Sequence, residues 1–121
     1  MVRTFTMALG VVLLLVGVLG FVMVPSSGLL LGVFAVNGTH NIIHVVTGIL
    51  AIAAAYGGQS RLFCQIFGVV YLAVGALGLI AADANGMLLG LVHINMADNI
   101  LHLLIGAGSA YFGFATQKTA A

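Results

Sequence analysis

Two long apolar runs dominate the chain, and each is followed by a shorter apolar run that begins with polar residues. Residues 5–24 and 62–82 carry no charged side chain, and each reaches the roughly 20 residues that a helix needs to cross a bilayer core. The shorter runs, roughly 38–57 and 96–115, reach that length only with their polar first turns. Because the runs are continuous and do not alternate apolar with polar positions, they predict four transmembrane helices rather than barrel strands.

The second half of the chain repeats the first at a spacing of 58 positions, the difference between His44 and His102. The same shift aligns several glycines and asparagines without a gap. The sequence therefore predicts a tandem duplication within a single membrane domain, 1–121, with repeat 1 at 1–58 and repeat 2 at 59–121. The predicted fold is all-α, a four-transmembrane-helix bundle. It is built from two same-orientation helical hairpins related by a pseudo-two-fold axis along the membrane normal.

Composition indicates the surroundings of these helices. Hydrophobic residues make up 63% of the chain and charged residues 4%, so the lipid bilayer is expected to be the main partner. A formal net charge of +1 offers no basic patch, which excludes nucleic acid as a partner. Cys64 is the only cysteine, so a disulfide within the chain is excluded.

The positive charges predict the orientation in the membrane. Arg3, Arg61 and Lys118 all fall on one side of a four-helix chain, and the positive-inside rule makes that side cytoplasmic. We expect a multi-pass protein of the bacterial inner membrane with both termini in the cytoplasm. The first run has features of a signal peptide. However, residues 5–20 match residues 63–78 inside the chain, so we expect a retained helix.

Glycines recur along the first and third helices with the same spacing. Steps of seven and three residues separate them in both helices, which places small residues along a stripe where two backbones can approach closely. The stripe predicts that the first and third helices pack together. The glycines are Gly10, Gly17, Gly20, Gly68, Gly75 and Gly78.

An apolar segment precedes the second helix, and a matching one precedes the fourth. Residues 29–36 and 87–94 are too short to span a bilayer. We expect them to lie at the interface or to fold back over the bundle, either as lids or only as a seal. Asn37 and Asn95 follow directly and are suited to cap the helices, since a short side-chain oxygen can accept a free backbone N–H.

A polar cluster lies at the start of the second helix and of the fourth. From the two caps, polar residues recur at intervals of three and four and so share one face of each helix. Polar side chains at that depth should face the bundle interior and pair with one another. If the second and fourth helices touch, they form one site. Its candidate residues are His40, Asn41, His44, Asp98, Asn99 and His102.

Three interpretations of this cluster are open, and the first is purely structural. Histidines and asparagines then hydrogen-bond across the repeat interface, and His40 pairs with Asp98. No cofactor is expected in that case. The asparagines of this structural cluster are Asn37, Asn41, Asn95 and Asn99.

The other two interpretations involve a ligand. Neutral imidazoles on facing helices can hold a planar cofactor. His44 and His102 would then be axial ligands of a haem or of chlorophyll-type pigments, with Gly48 and Gly106 making room for the ring. Three imidazoles and one carboxylate also suit zinc or a first-row transition metal. The metal ligands would be His40, His44, Asp98 and His102.

No catalytic motif is found in the sequence. It has no glycine-rich phosphate loop, no elbow serine and no cysteine beside a histidine. His93 and the tyrosines Tyr56, Tyr71 and Tyr111 read as interface or packing residues. We therefore expect a non-enzymatic protein, a small scaffold or accessory subunit. It would pack against a membrane protein partner or against copies of itself.

Several strings of the chain resemble a known family. They are residues 30–34 (LLGVF), 40–44 (HNIIH), 70–72 (VYL) and 95–102 (NMADNILH). Over nearly its whole length the chain resembles a family of small bacterial four-helix membrane proteins, a domain of unknown function. The resemblance implies the four-helix architecture and makes the six candidate residues of the polar cluster signature positions, but it implies no activity. Family members often have longer outer loops and basic tails. The short loops of this chain suggest burial in a larger assembly.

Overall fold

Four α-helices make up most of the protein. The computed structural model describes residues 1–24 and 27–115. All four predicted helices are confirmed close to their predicted bounds, and α4 continues into a short π-helix, Tyr111–Ala115. The helices are α1 Val2–Met23, α2 Gly38–Tyr56, α3 Ser60–Ala81 and α4 Met96–Ala110.

Three of these helices are long and apolar enough to cross a membrane. α1, α2 and α3 have 22, 19 and 22 residues, whereas α4 has 15 and gains length only through the π-helix. The outward faces carry exposed aliphatic side chains such as Val12, Leu15 and Val69. A soluble monomer rarely exposes apolar surface of this extent, whereas lipid covers it without cost. The chain is therefore a membrane protein, as its composition predicts.

Two short β-hairpins separate the paired helices. The first consists of β1 Ser27–Leu30 and β2 Phe34–Asn37, between α1 and α2. The second consists of β3 Met87–Leu88 and β4 Val92–His93, between α3 and α4. The hairpins occupy the two short apolar segments, so the all-α prediction is wrong there. Each segment satisfies its backbone groups by pairing with itself as an antiparallel ribbon.

Each hairpin turns at a leucine–glycine pair. Leu31 and Gly32 have φ values of 55° and 70°, and Leu89 and Gly90 have values of 56° and 68°. The N–H that follows each pair donates to the carbonyl oxygen that precedes it, at 3.1 and 3.0 Å. Two consecutive residues with positive φ are typical of a type I′ turn, which suits the twist of a hairpin. Leucine rarely adopts this conformation, so the turn could not be predicted from its residue types.

The glycine stripes pack consecutive helices together. A Cβ added to Gly10 in α1 would lie 2.9 Å from the carbonyl oxygen of Gly48 in α2. A Cβ added to Gly68 in α3 would lie 2.7 Å from the backbone nitrogen of Ala110 in α4. The prediction that these stripes pair the first and third helices is therefore wrong. Each stripe instead faces the helix on the far side of the intervening β-hairpin, where the lack of side chains lets the two backbones approach closely.

α1 and α3 meet near their first turns. Thr6 Oγ1 in α1 lies 3.2 Å from Cys64 Sγ in α3, and both side chains are buried. Arg3 and Arg61 lie three residues before this contact on their respective helices, so both cations are at the same end of the protein. Lys118, the third charge used to predict the orientation, lies outside the described residues.

Candidate metal centre

Three histidines meet where the side chains of α2 and α4 come together. His40 and His44 are one turn apart on α2, and their ring centroids are 4.5 Å apart. His102 comes from α4, with centroid distances of 5.5 Å to His40 and 6.0 Å to His44. Their side chains are only 1%, 2% and 3% exposed, in chain order. The side chains of the second and fourth helices therefore do touch, and we call these three residues the histidine triad.

The ring nitrogens of the histidine triad point toward one another. One nitrogen from each ring can be chosen so that all three lie within 4.8 Å of one another. Both ring nitrogens of His44 and Nδ1 of His102 are buried without a hydrogen-bond partner among the described residues. A buried polar group without a partner is costly. Several such groups in one place therefore indicate a site for a ligand that binds nitrogen lone pairs.

His40 is held in one orientation by the second hairpin. Its Nδ1 lies 2.8 Å from the carbonyl oxygen of His93. Because a carbonyl can only accept, Nδ1 must carry the proton in this bond, and Nε2 keeps its lone pair in the neutral ring. Nε2 is buried and has no hydrogen-bond partner among the described residues. Histidines that bind metals commonly donate their other ring nitrogen to a carbonyl in this way.

Asp98 lies outside the histidine triad because it caps its own helix. Its Oδ2 accepts a hydrogen bond from the backbone nitrogen of Asn95 at 3.0 Å. The Asn95 side chain in turn accepts from the backbone nitrogen of Asp98 at 3.0 Å. This capping box uses the carboxylate at the helix start. The part of the chain that the structure describes shows no pair between His40 and Asp98, and the four predicted metal ligands reduce to three.

Asn37 and Asn95 are confirmed as helix N-caps. The Oδ1 atom of Asn37 accepts from the backbone nitrogen of His40 at 2.9 Å. Each Nδ2 atom then donates to the turn of the other hairpin, from Asn37 to Leu91 O at 3.1 Å and from Asn95 to Val33 O at 2.7 Å. The two hairpins are thereby tied to each other above the histidine triad.

Asn41 and Asn99 lie against glycines of the neighbouring helix. A Cβ at Gly20 would overlap the Asn41 side chain, and a Cβ at Gly78 would overlap that of Asn99. Their Oδ1 atoms are buried without a hydrogen-bond partner among the described residues. Among the described residues, these two Oδ1 atoms therefore make none of the hydrogen bonds that were expected between asparagines and histidines across the repeat interface. Gly20 and Gly78 make room for the two amides.

The predicted space for a planar ring is filled by the helices themselves. A Cβ at Gly48 would lie 2.6 Å from the backbone nitrogen of Leu14, and one at Gly106 would lie 2.5 Å from that of Leu72. These glycines therefore allow close helix packing. Neither leaves a gap beside His44 or His102.

A cavity of about 290 Å³ adjoins the histidine triad. Apart from the triad, its walls come from α2, α3 and the second hairpin, and they are aliphatic except for Thr47, Phe67 and Tyr71. The Tyr71 ring lies 5.5 Å from His102, and its buried hydroxyl points toward Thr47 without a well-formed hydrogen bond. Tyr71 was expected to be a packing residue. Its sequence neighbours are apolar, so the cavity could not be predicted from them.

Comparison with known protein families identifies the family of this chain. The family described as "Domain of unknown function (DUF4383)" matches residues 3–115, a span that contains both hairpins and all four helices except Val2, the first residue of α1. No curated protein and no solved structure matches the chain.

Proposed function

Because the chain belongs to this family of unknown function, its role has to be derived from its own residues, and we propose that it binds one divalent transition-metal ion. The ligands are His40, His44 and His102. The observation that carries the proposal is the convergence of their ring nitrogens within 4.8 Å. That these buried nitrogens lack other partners supports it further.

The donor set suits a late first-row metal. Imidazole is a good ligand for zinc, copper, nickel and iron. Zinc–nitrogen bonds of about 2.0–2.1 Å place two ligand nitrogens of a tetrahedral site about 3.3 Å apart. Small rotations of the rings would close the 4.8 Å spread to that distance. Three protein ligands leave a fourth position open, which is the arrangement of metal sites that bind a further ligand.

A haem or chlorophyll-type pigment fits this geometry less well. Such a ring would have to lie between His44 and His102, whose centroids are 6.0 Å apart. His40 stands beside both of them, at 4.5 and 5.5 Å, in the space that the ring would need. A single ion requires no such space, so the metal accounts for all three histidines.

The proposed site belongs to an architecture of two tandem helical hairpins. Residues 58 positions apart in the sequence meet at two levels, Thr6 with Cys64 and His44 with His102. The reciprocal bonds of the two cap asparagines relate the halves in the same way. These contacts support the pseudo-two-fold axis along the bundle.

The proposed orientation places both termini in the cytoplasm of a bacterial cell. Arg3 and Arg61 lie together at the end of the bundle far from the hairpins, which is the cytoplasmic end by the positive-inside rule. The histidine triad and both hairpins then lie in the outer half of the inner membrane.

A scaffold or accessory subunit is the second candidate, with the metal in a structural role. It is favoured by the hairpin turns, where Leu31 and Leu89 are 64% and 74% exposed in a backbone conformation that leucine disfavours. An apolar side chain kept at such a position in both hairpins supports contact with a partner or with the membrane interface.

Metal binding is tested directly on protein purified in detergent. The apoprotein is prepared with a chelator, loaded with Zn²⁺ or Co²⁺, desalted and analysed for metal. We expect one ion per chain in the wild type and loss of the ion in His44→Ala and in His102→Gln. Co²⁺ adds a visible spectrum that reports imidazole coordination. A wild-type protein that retains no metal at micromolar concentrations would refute the proposal.

His93→Gln is the matched control for these variants. It removes a histidine near the site whose ring lies within hydrogen-bond distance of Ser27 and of the Val36 carbonyl, and it keeps the main-chain carbonyl that binds His40. We expect this variant to bind one ion. Size-exclusion profiles and helical circular dichroism of all variants separate loss of a ligand from loss of the fold.

A further inference from the structure

We propose that the cavity beside the histidine triad binds a medium-chain monocarboxylate, whose carboxylate occupies the open position of the metal. This inference rests on the metal site proposed above. It concerns the ligand that the site receives from the membrane.

The cavity combines an aliphatic body with a polar floor. Its aliphatic lining comes from α2, from α3 and from the second hairpin. His44, His102 and Tyr71 form the floor, and each of these side chains is more than nine-tenths buried. Pockets of this kind, with an apolar lining and a few converging polar groups, are the usual form of small-molecule sites. A volume of about 290 Å³ lies at the lower end of such sites, which favours a single short apolar chain. The aliphatic lining residues are Ile43, Val70, Val74, Leu88, Leu89, Leu91 and Val92.

The mouth of the cavity faces sideways, toward lipid. Val70 on α3 and Leu89 and Leu91 on the second hairpin line the cavity, yet all three are exposed on the outside of the bundle. An apolar molecule dissolved in the outer leaflet therefore reaches the histidine triad between α3 and the hairpin, without crossing the bundle.

The two halves of the chain differ at the residues that make this cavity. Tyr71 corresponds to Leu13 at the position 58 residues earlier, and Thr47 corresponds to Ile105 at the position 58 residues later. Leu13 is 2% exposed and fills its place in the first half. Glycine and asparagine positions that pack the helices are shared by both halves, and so are His44 and His102, whereas the cavity residues Tyr71 and Thr47 each have an apolar counterpart in the other half. This difference indicates a ligand site and not a general packing feature.

Charge favours an anion as the head of the ligand. Three neutral imidazoles leave a divalent ion with its full charge of about +2 in apolar surroundings, which is unfavourable without an anionic partner. None of the described residues that line the cavity is acidic, and the Asp98 carboxylate is engaged at its helix cap. A carboxylate would offer one oxygen to the ion. Its second oxygen would accept a hydrogen bond from the Tyr71 hydroxyl, which lacks a well-formed bond of its own.

The test uses the Co²⁺-loaded protein in detergent, with decanoic acid and decan-1-ol as probes of equal chain length. We expect decanoic acid to change the visible Co²⁺ spectrum in a saturable way and decan-1-ol to leave it nearly unchanged. Val70→Phe, at the mouth, should weaken the apparent affinity for decanoic acid at least tenfold. Val12→Phe is the matched control, since Val12 is the exposed residue at the corresponding position of α1. It should bind decanoic acid like the wild type.

The outcomes separate the two proposals. A protein that takes up no Co²⁺ refutes the metal site and this inference with it. Normal Co²⁺ uptake with a spectrum that decanoic acid does not change overturns the carboxylate ligand alone. An equal response in Val70→Phe and Val12→Phe also overturns it, because the acid would then reach the ion by another route. Tyr71→Phe should keep the Co²⁺ spectrum and lower the affinity for decanoic acid, which a purely structural tyrosine would not do.

Discussion

Asn37 and Asn95 bind each other's half of the protein. Each side chain caps its own helix with Oδ1 and donates from Nδ2 to a backbone carbonyl in the opposite hairpin turn, at 3.1 and 2.7 Å. One residue type thus serves two purposes at each position. It starts the helix that carries the histidines, and it fixes the hairpin above them.

Substitutions of Asn37 should separate the contribution of the helix cap from that of the hydrogen bond to the opposite hairpin. Asn37→Ala removes the cap, worth about 1 kcal/mol, and the inter-hairpin hydrogen bond, worth about another 1 kcal/mol. Asn37→Asp keeps an oxygen for the cap but loses the donor to Leu91, so it should cost less. The free energy of unfolding, measured by titration with a denaturing detergent, gives both values. Asn85→Ala, at an exposed site, is the control. Equal stability of Asn37→Ala and Asn85→Ala would show that these bonds contribute nothing.

The contact between Gly20 and Asn41 predicts a strong effect of a single methyl group. Gly20→Ala places a Cβ on the buried amide, and overpacking of this kind costs about 1–3 kcal/mol or more. The double variant Gly20→Ala, Asn41→Ala should recover much of the loss because the smaller side chain admits the methyl group. Gly38→Ala, where a Cβ meets nothing within 4 Å, should be neutral or stabilising. Additive losses in the double variant would contradict the contact.

Metal binding should stabilise the protein and should weaken as the pH falls. A ligand that binds only the folded state at a free concentration of 100 times its Kd adds about 2.7 kcal/mol. Thermal unfolding with and without Zn²⁺ measures this gain, which should be absent in His44→Ala. Imidazoles bind metals only when deprotonated, so protons compete with the ion and acid lowers its affinity. An affinity for Zn²⁺ that is the same at acidic and neutral pH would show that histidines are not the ligands.

The leucines at the hairpin turns should lower the stability of the isolated protein and strengthen its contact with a partner or the membrane. Asparagine tolerates positive φ better than leucine, so Leu31→Asn and Leu89→Asn should stabilise the isolated protein in mild detergent by about 1 kcal/mol each. The same changes should reduce recovery of a co-purifying partner or retention in membranes after a salt wash. Leu29→Asn, which is exposed on a strand, is the control for polarity without the turn effect. Unchanged stability in all three variants would show that the turns store no strain.

Much of this architecture was predictable from the chain alone. The helices follow from the length and continuity of the apolar runs, and the caps follow from single asparagines placed just before polar first turns. The spacing of the histidines leaves one polar face to bury on each helix, which predicted that they converge only if the second and fourth helices touch. These features depend on residues close together in the sequence, so the spacing of apolar and polar positions is enough to predict them.

Other features depended on contacts that no local pattern contains. The glycine stripes showed that helices pack closely but not which ones, since the same spacing serves any neighbour. Asp98 lies one turn before His102, a spacing that suits a metal ligand. Its carboxylate instead accepts a hydrogen bond from the backbone nitrogen of Asn95 at the start of the helix. The place of Tyr71 at the cavity could not be predicted, because its counterpart Leu13 is a packing residue that fills the equivalent space in the other half.

The unlike residues His40 and Asp98 carry a consequence for ancestry. In a homodimer of half-length chains, both positions would hold the same side chain. The rings of His44 and His102 would then be accompanied by two histidines or by two aspartates. In the proposed tandem duplication, joining the two copies in one polypeptide would remove that constraint, because each copy could then change alone. The proposed metal site takes two ligands from one copy and one from the other, an arrangement that a fused chain could hold and a symmetric dimer of half-length chains could not.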